Sequence, residues 1–263
     1  MGHERVGALP YTRKWREVVA QLAESSGSRE DVAAIARATL QNVNVQFERI
    51  HWDDGVVAAF QFLVALTKSA PSEHPVTPSS SPSPKIDLDE GTSALKLVGQ
   101  LRSWVESQAV SKEYAAIATR ASADAISLWS AKHGKQANLF TGSVDSREVW
   151  RRADNGAGFC EVSRLFFSKF TERYLKYFLE REASASMTGV AERDRLAAQL
   201  REHIDGVSQF AFETSRITQS FAAGWFNNHA RDKTPSSIDS RRFLSVAFAK
   251  MREELNREAD ADG

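Results

Sequence analysis

The chain has 263 residues, and its 34 lysines and arginines equal its 34 aspartates and glutamates. That balance excludes a surface built to track a polyanion along its whole length, because such surfaces carry a clear basic excess. With 42% hydrophobic and 26% charged residues the composition is that of a folded chain, and a single cysteine, Cys160, excludes both an intramolecular disulfide and a cysteine-based zinc cluster.

The first eleven residues lack the apolar run of a secretory signal. The most apolar stretch, 56–66, has 11 residues and includes Gln61, whereas a bilayer span takes about 20. The expectation is a cytoplasmic protein with no membrane partner.

In chain order, Trp15, Val18, Val19 and Leu22 share one face of a short helix that ends near 25–27. Ser28, with Asp31 three residues on, forms a capping box that opens a second helix. Its stripe runs Val32, Ile35, Thr39, Val43, Phe47, Ile50 at steps of three and four. Asp53, Asp54 and Gly55 make a turn into a third helix over 56–68.

Five of the seven prolines then lie in PSEHPVTPSSSPSP, 71–84. Such a stretch cannot build a core and is expected to be an extended, mobile linker. The organisation read from this is an N-terminal helical segment, 1–70, the linker 71–84, and a main helical bundle, 85–263. Basic and acidic residues number 8 and 8 in the first part and 26 and 25 in the last, so neither part is a basic module. About 70 residues lie near the lower limit for a self-sufficient core, so the first part is expected to lean on the second.

Beyond the linker, Leu95, Val98, Leu101 and Val105 mark a helix. A further helix is expected over 111–133, with Ile117, Ala121, Ala125 and Leu128 inward and Gly134 as its terminator. A loop over 138–143, a short helix over 146–152 and a break at DNGAG, 154–158, follow. An aromatic helix then covers 159–187, and a very long one 191–229 carries the seam Leu200, His203, Val207, Phe210, Thr214, Ile217, Phe221, Gly224. Pro235 and Ser236 open a last helix with Leu244, Phe248, Met251 and Leu255 inward. No stretch shows sustained alternation of period two, so the fold class is all-α: a small N-terminal bundle joined to a larger multi-helix bundle with one long helix.

Seven of the 25 aromatic residues fall in the 159–187 helix. Phe159, Phe166, Phe167, Phe170, Tyr174, Tyr177 and Phe178 project into an arc of about 120°, with Lys169, Arg173 and Lys176 on a neighbouring face. Two accounts of this face are open. In one the rings fill space between helices and the cations are its solvated edge. In the other, rings and cations together meet a partner or the bases and phosphates of a single strand. Arg181 projects inside the aromatic arc, where a guanidinium needs a carboxylate, a carbonyl or a ring face, or snorkels to water at the helix end.

Motifs for chemistry are sparse. His51, Asp53 and Asp54 cluster at a turn but lack further ligands nearby. HExxH and GxSxG are absent. DNGAG precedes a helix N-terminus, yet no strand leads into it and no Lys-Ser or Lys-Thr follows, so it reads as a helix break. Cys160 sits at the border of the aromatic arc, where an inert buried thiol is the expectation. No cofactor, metal or catalytic residue is assigned. The sequence therefore points to a non-enzymatic α-helical adaptor or accessory subunit, acting through a protein partner or self-association, with Arg181, Phe170, Tyr174, Tyr177, Lys169, Arg173 and Lys176 as interaction anchors. The alternative is nucleic-acid binding through Lys169, Arg173, Lys176, Arg241 and Arg242. A further alternative is a ligand or enzymatic pocket around Arg181 and His203.

Overall fold

A computed structural model describes residues 12–24, 28–69, 82–89, 91–108, 114–141, 145–186, 189–213 and 221–261. The expected linker falls mostly outside these residues; its last three, 82–84, carry no helix. The fold is all-α, with eleven α-helices and no strand among the described residues. None of the helices there is long and apolar enough to cross a membrane.

The N-terminal helices are α1 (Arg13–Glu24), α2 (Arg29–Asn42), α3 (Asn44–Arg49) and α4 (Asp54–Thr67), with a 3-10 turn, Ile50–Trp52, between the last two. The capping box at α2 is present: the Asp31 N–H donates to the Ser28 hydroxyl at 3.1 Å, and the Ser28 N–H donates to the Asp31 carboxylate. All six residues of the expected stripe from Val32 to Ile50 are buried. The helix that carries them is nevertheless interrupted at Val43, whose N–H is shared between the carbonyls of Thr39 and Leu40. Two asparagines flanking a β-branched residue are poor helix formers, and the Asn42 side chain turns back to donate to the Ala38 carbonyl. Asp53 is the N-cap of α4, accepting from the Val56 N–H at 3.0 Å, so the expected turn is the first turn of the helix.

Beyond the Pro/Ser-rich stretch lie α5 (Ala94–Gln108), α6 (Ala115–Thr141), α7 (Ser146–Arg151) and α8 (Gly156–Ser186). In α5 the inward residues are Leu97, Leu101 and Val105, and Leu95 is exposed. Gly134 does not end α6, which continues to Thr141 through the good helix formers Lys135, Gln136 and Ala137. Residues 138–141 of the expected loop are therefore helical, and its last two, 142 and 143, lie outside the described residues. Trp129, not Leu128, faces the core there, and its indole N–H donates to the Val149 carbonyl. Trp104 likewise ties α5 to α4 by donating to the Ala58 carbonyl at 3.0 Å.

The break at DNGAG separates α7 from α8. A Cβ on Gly158 would lie 2.4 Å from the Arg152 carbonyl oxygen and 2.7 Å from the Ala153 Cα, so only glycine lets the first turn of α8 press on the end of α7. Asn155 caps that turn, its side-chain oxygen accepting from the N–H groups of Ala157 and Gly158.

The remaining helices are α9 (Val190–Glu213), α10 (Phe221–Trp225) and α11 (Ser237–Ala261), with a π-helical turn at Phe226–Ala230. Of the long helix expected over 191–229, α9 covers the first part and α10 with the π-helical turn the last, and 214–220, with Thr214 and Ile217 of its seam, lie outside the described residues. In α9 the inward line passes through Leu200, His203, Ile204, Val207 and Phe212, leaving Phe210 exposed. A second capping box, Ser236 with Asp239, opens α11, and Leu244, Phe248, Met251 and Leu255 are all buried.

Helix α8 runs through the middle, with α6 along one side and α9 along another, while α4 packs against α5, α6 and α11. Helices α1 and α2 lie against α8, and α2 also meets α9 and α11. One connected cluster of buried side chains runs from Trp15 to Leu255, so helices from both sides of the Pro/Ser-rich stretch share it. Phe60 of α4 sits at its centre, ringed by Phe159, Phe166, Phe167, Trp225 and Phe243.

Candidate interaction surface

The aromatic arc of α8 faces inward. Phe159, Phe166, Phe167, Phe170, Tyr174 and Phe178 are fully buried, and Tyr177 is half-buried with its ring edge-on to Phe178. Phe170 meets Phe248 of α11, and Tyr174 meets Phe47 of α3 and Tyr114. These rings cement helices of the chain to one another. Cys160 is partly buried, its Sγ 3.8 Å from the Phe212 carbonyl.

The cations beside the arc are matched to carboxylates within the molecule. Lys169 Nζ lies 2.9 Å from Glu172, a buried carboxylate that Arg201 of α9 also approaches at 3.6 Å. Arg173 reaches Asp124 of α6, and Lys176 lies 3.7 Å from Glu180. Arg164, one turn earlier, pairs with Asp205 of α9 at 3.0 Å. Lys169 and Lys176 thus pair within α8, while Arg173, Arg164 and the Glu172–Arg201 contact brace α8 to α6 and α9. The side chain of Arg181 lies outside the described residues. His203 is buried on the inner side of α9.

The turn residues His51, Asp53 and Asp54 also have structural partners. Asp53 caps α4, and Asp54 accepts from Arg241 of α11 at 2.5 Å. Burial depresses the His51 pKa; the nearby Arg241 adds to this, while a hydrogen bond with the Glu48 backbone opposes it. Among the described residues no group of three or more His, Cys, Asp or Glu side chains could hold a metal ion.

The last two candidates, Arg241 and Arg242, lead to the surface that the sequence did not single out. Arg241 bonds to the carbonyls of His51 and Trp52 as well as to Asp54, and its guanidinium carbon lies 5.6 Å from the Trp52 ring centroid. One end of α11 is thereby locked to the 3-10 turn. At the other end Arg252 bonds to Asn44 and Glu48 of α3. Between them Phe248 meets Phe47 edge-on at 5.3 Å.

With that side of α11 committed to α3, Ile238, Arg242 and Val246 lie about a quarter turn round the helix and away from the core. On α3 and the turn after it, Val45, Arg49 and Trp52 lie about a quarter turn from the side that meets α11. Each row, at i, i+4 and i+7 or i+8, is apolar, arginine, apolar. Val45, Trp52, Ile238 and Val246 are 59%, 64%, 60% and 47% exposed. They are four of the eight exposed large hydrophobic residues among the described part of the chain, gathered on two adjoining elements. Arg49 and Arg242 are exposed and have no hydrogen-bond or ion-pair partner among the described residues.

The seam between the rows opens at its far end into a cleft of about 390 Å³ lined by Leu40, Gln41, Asn44, Arg252, Glu253 and Asn256. The Asn256 side-chain oxygen is shielded there with no partner among the described residues. A smaller cavity of about 180 Å³ lies elsewhere, between α4 and residues 82–84, 234 and 235. Lys68 lines it and donates to the Lys233 carbonyl; burial lowers its pKa, while Asp154 and Asp232 work against that. Neither concavity is lined by His203.

The signal for Val45 and Trp52 was present in the sequence as a short apolar row out of phase with the Val32–Ile50 stripe. It was masked because Trp52 adjoins a turn and because the partner row lies nearly 200 residues away on α11. No protein-family model, curated protein or solved structure matches this chain.

Proposed function

We propose that this chain is a non-enzymatic, cytoplasmic helical adaptor or accessory subunit that acts by holding a protein partner. The observation that supports this is the paired apolar rows, Val45 with Trp52 and Ile238 with Val246, set around unpaired Arg49 and Arg242. Tryptophan and arginine are the residue types most enriched at the energetic centres of protein interfaces, and apolar residues clustered on one exposed face mark an interaction site more often than scattered ones do. The aromatic arc of α8 supplies the rigid frame beneath: Phe47 and Phe248, which join α3 to α11, both rest on Tyr174 or Phe170.

The test is recovery of a complex from the native cell with the wild-type chain and with Trp52→Ala/Ile238→Ser. The reading expects a complex that the wild type retains and the variant loses at unchanged melting temperature. A strictly monomeric chain with no assembly dependent on these residues rejects it.

A second reading, nucleic-acid binding, rests on the Trp52 ring stacked over Arg241 beside the free Arg242, a pairing of aromatic ring and cation that single-strand binders use. It expects binding of a single-stranded oligonucleotide that weakens steeply with salt and is lost with Trp52→Ala. Salt-independent binding, or none, rejects it.

A further inference from the structure

We infer that the seam between α3 and α11 takes an amphipathic helix of the partner, one whose docking face carries an acidic residue flanked by apolar residues. This rests on the adaptor reading above and specifies the chemistry of its partner. Three observations lead to it.

The first is shape. The rows run about 12 Å along α11, from Ile238 to Val246 with Trp52, Arg49 and Val45 beside them, and the cleft at Asn44, Arg252 and Asn256 carries the line on to about 27 Å from Ile238. An exposed face of that length, ending in a cleft, suits a helix of about 18 residues lying along it.

The second is charge. Inside the seam Arg241 is neutralised by Asp54 and Arg252 by Glu48. Arg49 and Arg242 are left unmatched, one in the middle of each row, with an apolar residue on either side. Two guanidinium groups so placed select a carboxylate between two apolar anchors, because planar N–H forks bind carboxylates through paired hydrogen bonds. A second copy of this chain fits poorly: a two-fold contact through the same face brings the Arg49 and Arg242 of one copy against those of the other.

The third is the cleft. There the exposed Glu253 carboxylate offers an acceptor without a partner among the described residues. It suits the N–H groups exposed at a helix N-terminus. A helix entering with its N-terminus in the cleft then lays its acidic residue between the arginines and its last apolar anchor on Trp52.

The test is selection of peptides of about 18 residues from a displayed random library on the full chain. The expected winners carry Asp or Glu flanked by apolar residues at spacings of three and four, and turn helical on binding. Their affinity falls about tenfold or more with Arg49→Glu/Arg242→Glu and with Trp52→Ala, and Asn256→Asp or Leu40→Ala does not reproduce the charge preference. Winners that are basic or lack helical spacing, or binding indifferent to the arginine reversals, overturn the inference. So does efficient displacement of the winners by a single-stranded oligonucleotide, which transfers the surface to nucleic acid. If the native complex still depends on Trp52 and Ile238 while the selected peptides lack the acidic row, the helix inference fails and the adaptor reading stands. If neither shows dependence, both fail.

Discussion

The Arg173 guanidinium donates through both Nε and Nη2 to one carboxylate oxygen of Asp124, at 3.0 and 2.5 Å. This pair spans α8 and α6, the two helices with the broadest mutual packing among the described residues. Each side chain is about one-third exposed, 35% for Arg173 and 34% for Asp124, so solvent screens the attraction without abolishing it. Asp124→Asn is expected to destabilise the fold by about 1 kcal/mol. Arg173→Glu should cost more, and the swap Arg173→Glu/Asp124→Arg should recover part of that loss. Urea midpoints of these proteins and of the single Asp124→Arg check it; a swap equal to the sum of Arg173→Glu and Asp124→Arg would mean that the two side chains do not interact.

Phe60 is the ring on which the N-terminal helices and the rest of the chain converge. It is fully buried in α4 and stacks on Phe243 of α11 at 5.0 Å, with an interplanar angle of 13°. Truncation leaves a void walled by Phe159, Phe166, Phe167 and Trp225, rings held by two other elements that cannot collapse into it freely. Phe60→Ala is expected to cost about 3–5 kcal/mol, and Phe60→Leu clearly less. A single cooperative transition shifted to lower denaturant in both variants is the expected measurement. Loss of one part of the transition, with the rest unmoved, would contradict a shared core.

Much of the fold was legible because local rules sufficed. The Ser28–Asp31 box, the Asn155–Gly158 break and the inward row of α11 follow from spacing and capping alone. Where the reading drifted, the cause was phase. In α5 both Leu95 and Leu97 are leucines, and only the placement of α4 and α6 decides that Leu97 turns inward. The same holds for Leu128 against Trp129 and for Phe210 against Phe212. The candidate surface was less legible, because the roles of cations depend on partners remote in sequence. Arg173 finds Asp124 49 residues away and Arg241 finds Asp54 187 residues away. Pairing of this kind matches the cations of an apparent strip within the molecule and leaves Arg49 and Arg242 without partners among the described residues, a distinction no periodicity contains.

Two glycines in helices give opposite expectations. A Cβ on Gly55 would lie 2.4 Å from the Ala115 Cβ and 2.8 Å from its Cα, so Gly55→Ala must push α4 away from the start of α6. That is expected to destabilise by about 1–3 kcal/mol. A Cβ on Gly99, inside α5, meets nothing within 4 Å; Gly99→Ala gains helix propensity and is expected to stabilise by about 0.5–1 kcal/mol. Thermal melts of the two variants should move in opposite directions. A Gly99→Ala that melts lower than the wild type would place an unseen constraint on that face of α5.

Acid should weaken the fold in two steps. His133 lies over the Trp129 ring, centroids 3.9 Å apart, and neither of its ring nitrogens has a hydrogen-bond partner among the described residues. Burial holds its pKa below the ordinary value; Glu161 pulls it up, and Lys132 and Arg152 push it down. His51 is lowered in the same sense. For both, the unfolded chain takes up the proton first, near pH about 6.5, so their contribution is complete above that pH and is lost as pH falls through the folded values. Asp239 acts in a lower window. Burial raises its pKa, but the Ser236 hydroxyl and N–H, with His229 and Lys233 nearby, outweigh that and leave it below the ordinary carboxylate value. Its contribution is complete above about pH 3.9 and disappears as pH falls through the depressed folded pKa. Urea midpoints measured from neutral pH downward should therefore fall first below about pH 6.5, then again in stronger acid. His133→Phe keeps a ring against Trp129 and should flatten only the first decline; Asp239→Asn should flatten only the second, from a lower starting stability because a cap of α11 is weakened. A first decline that survives both His133→Phe and His51→Asn would assign it to other groups.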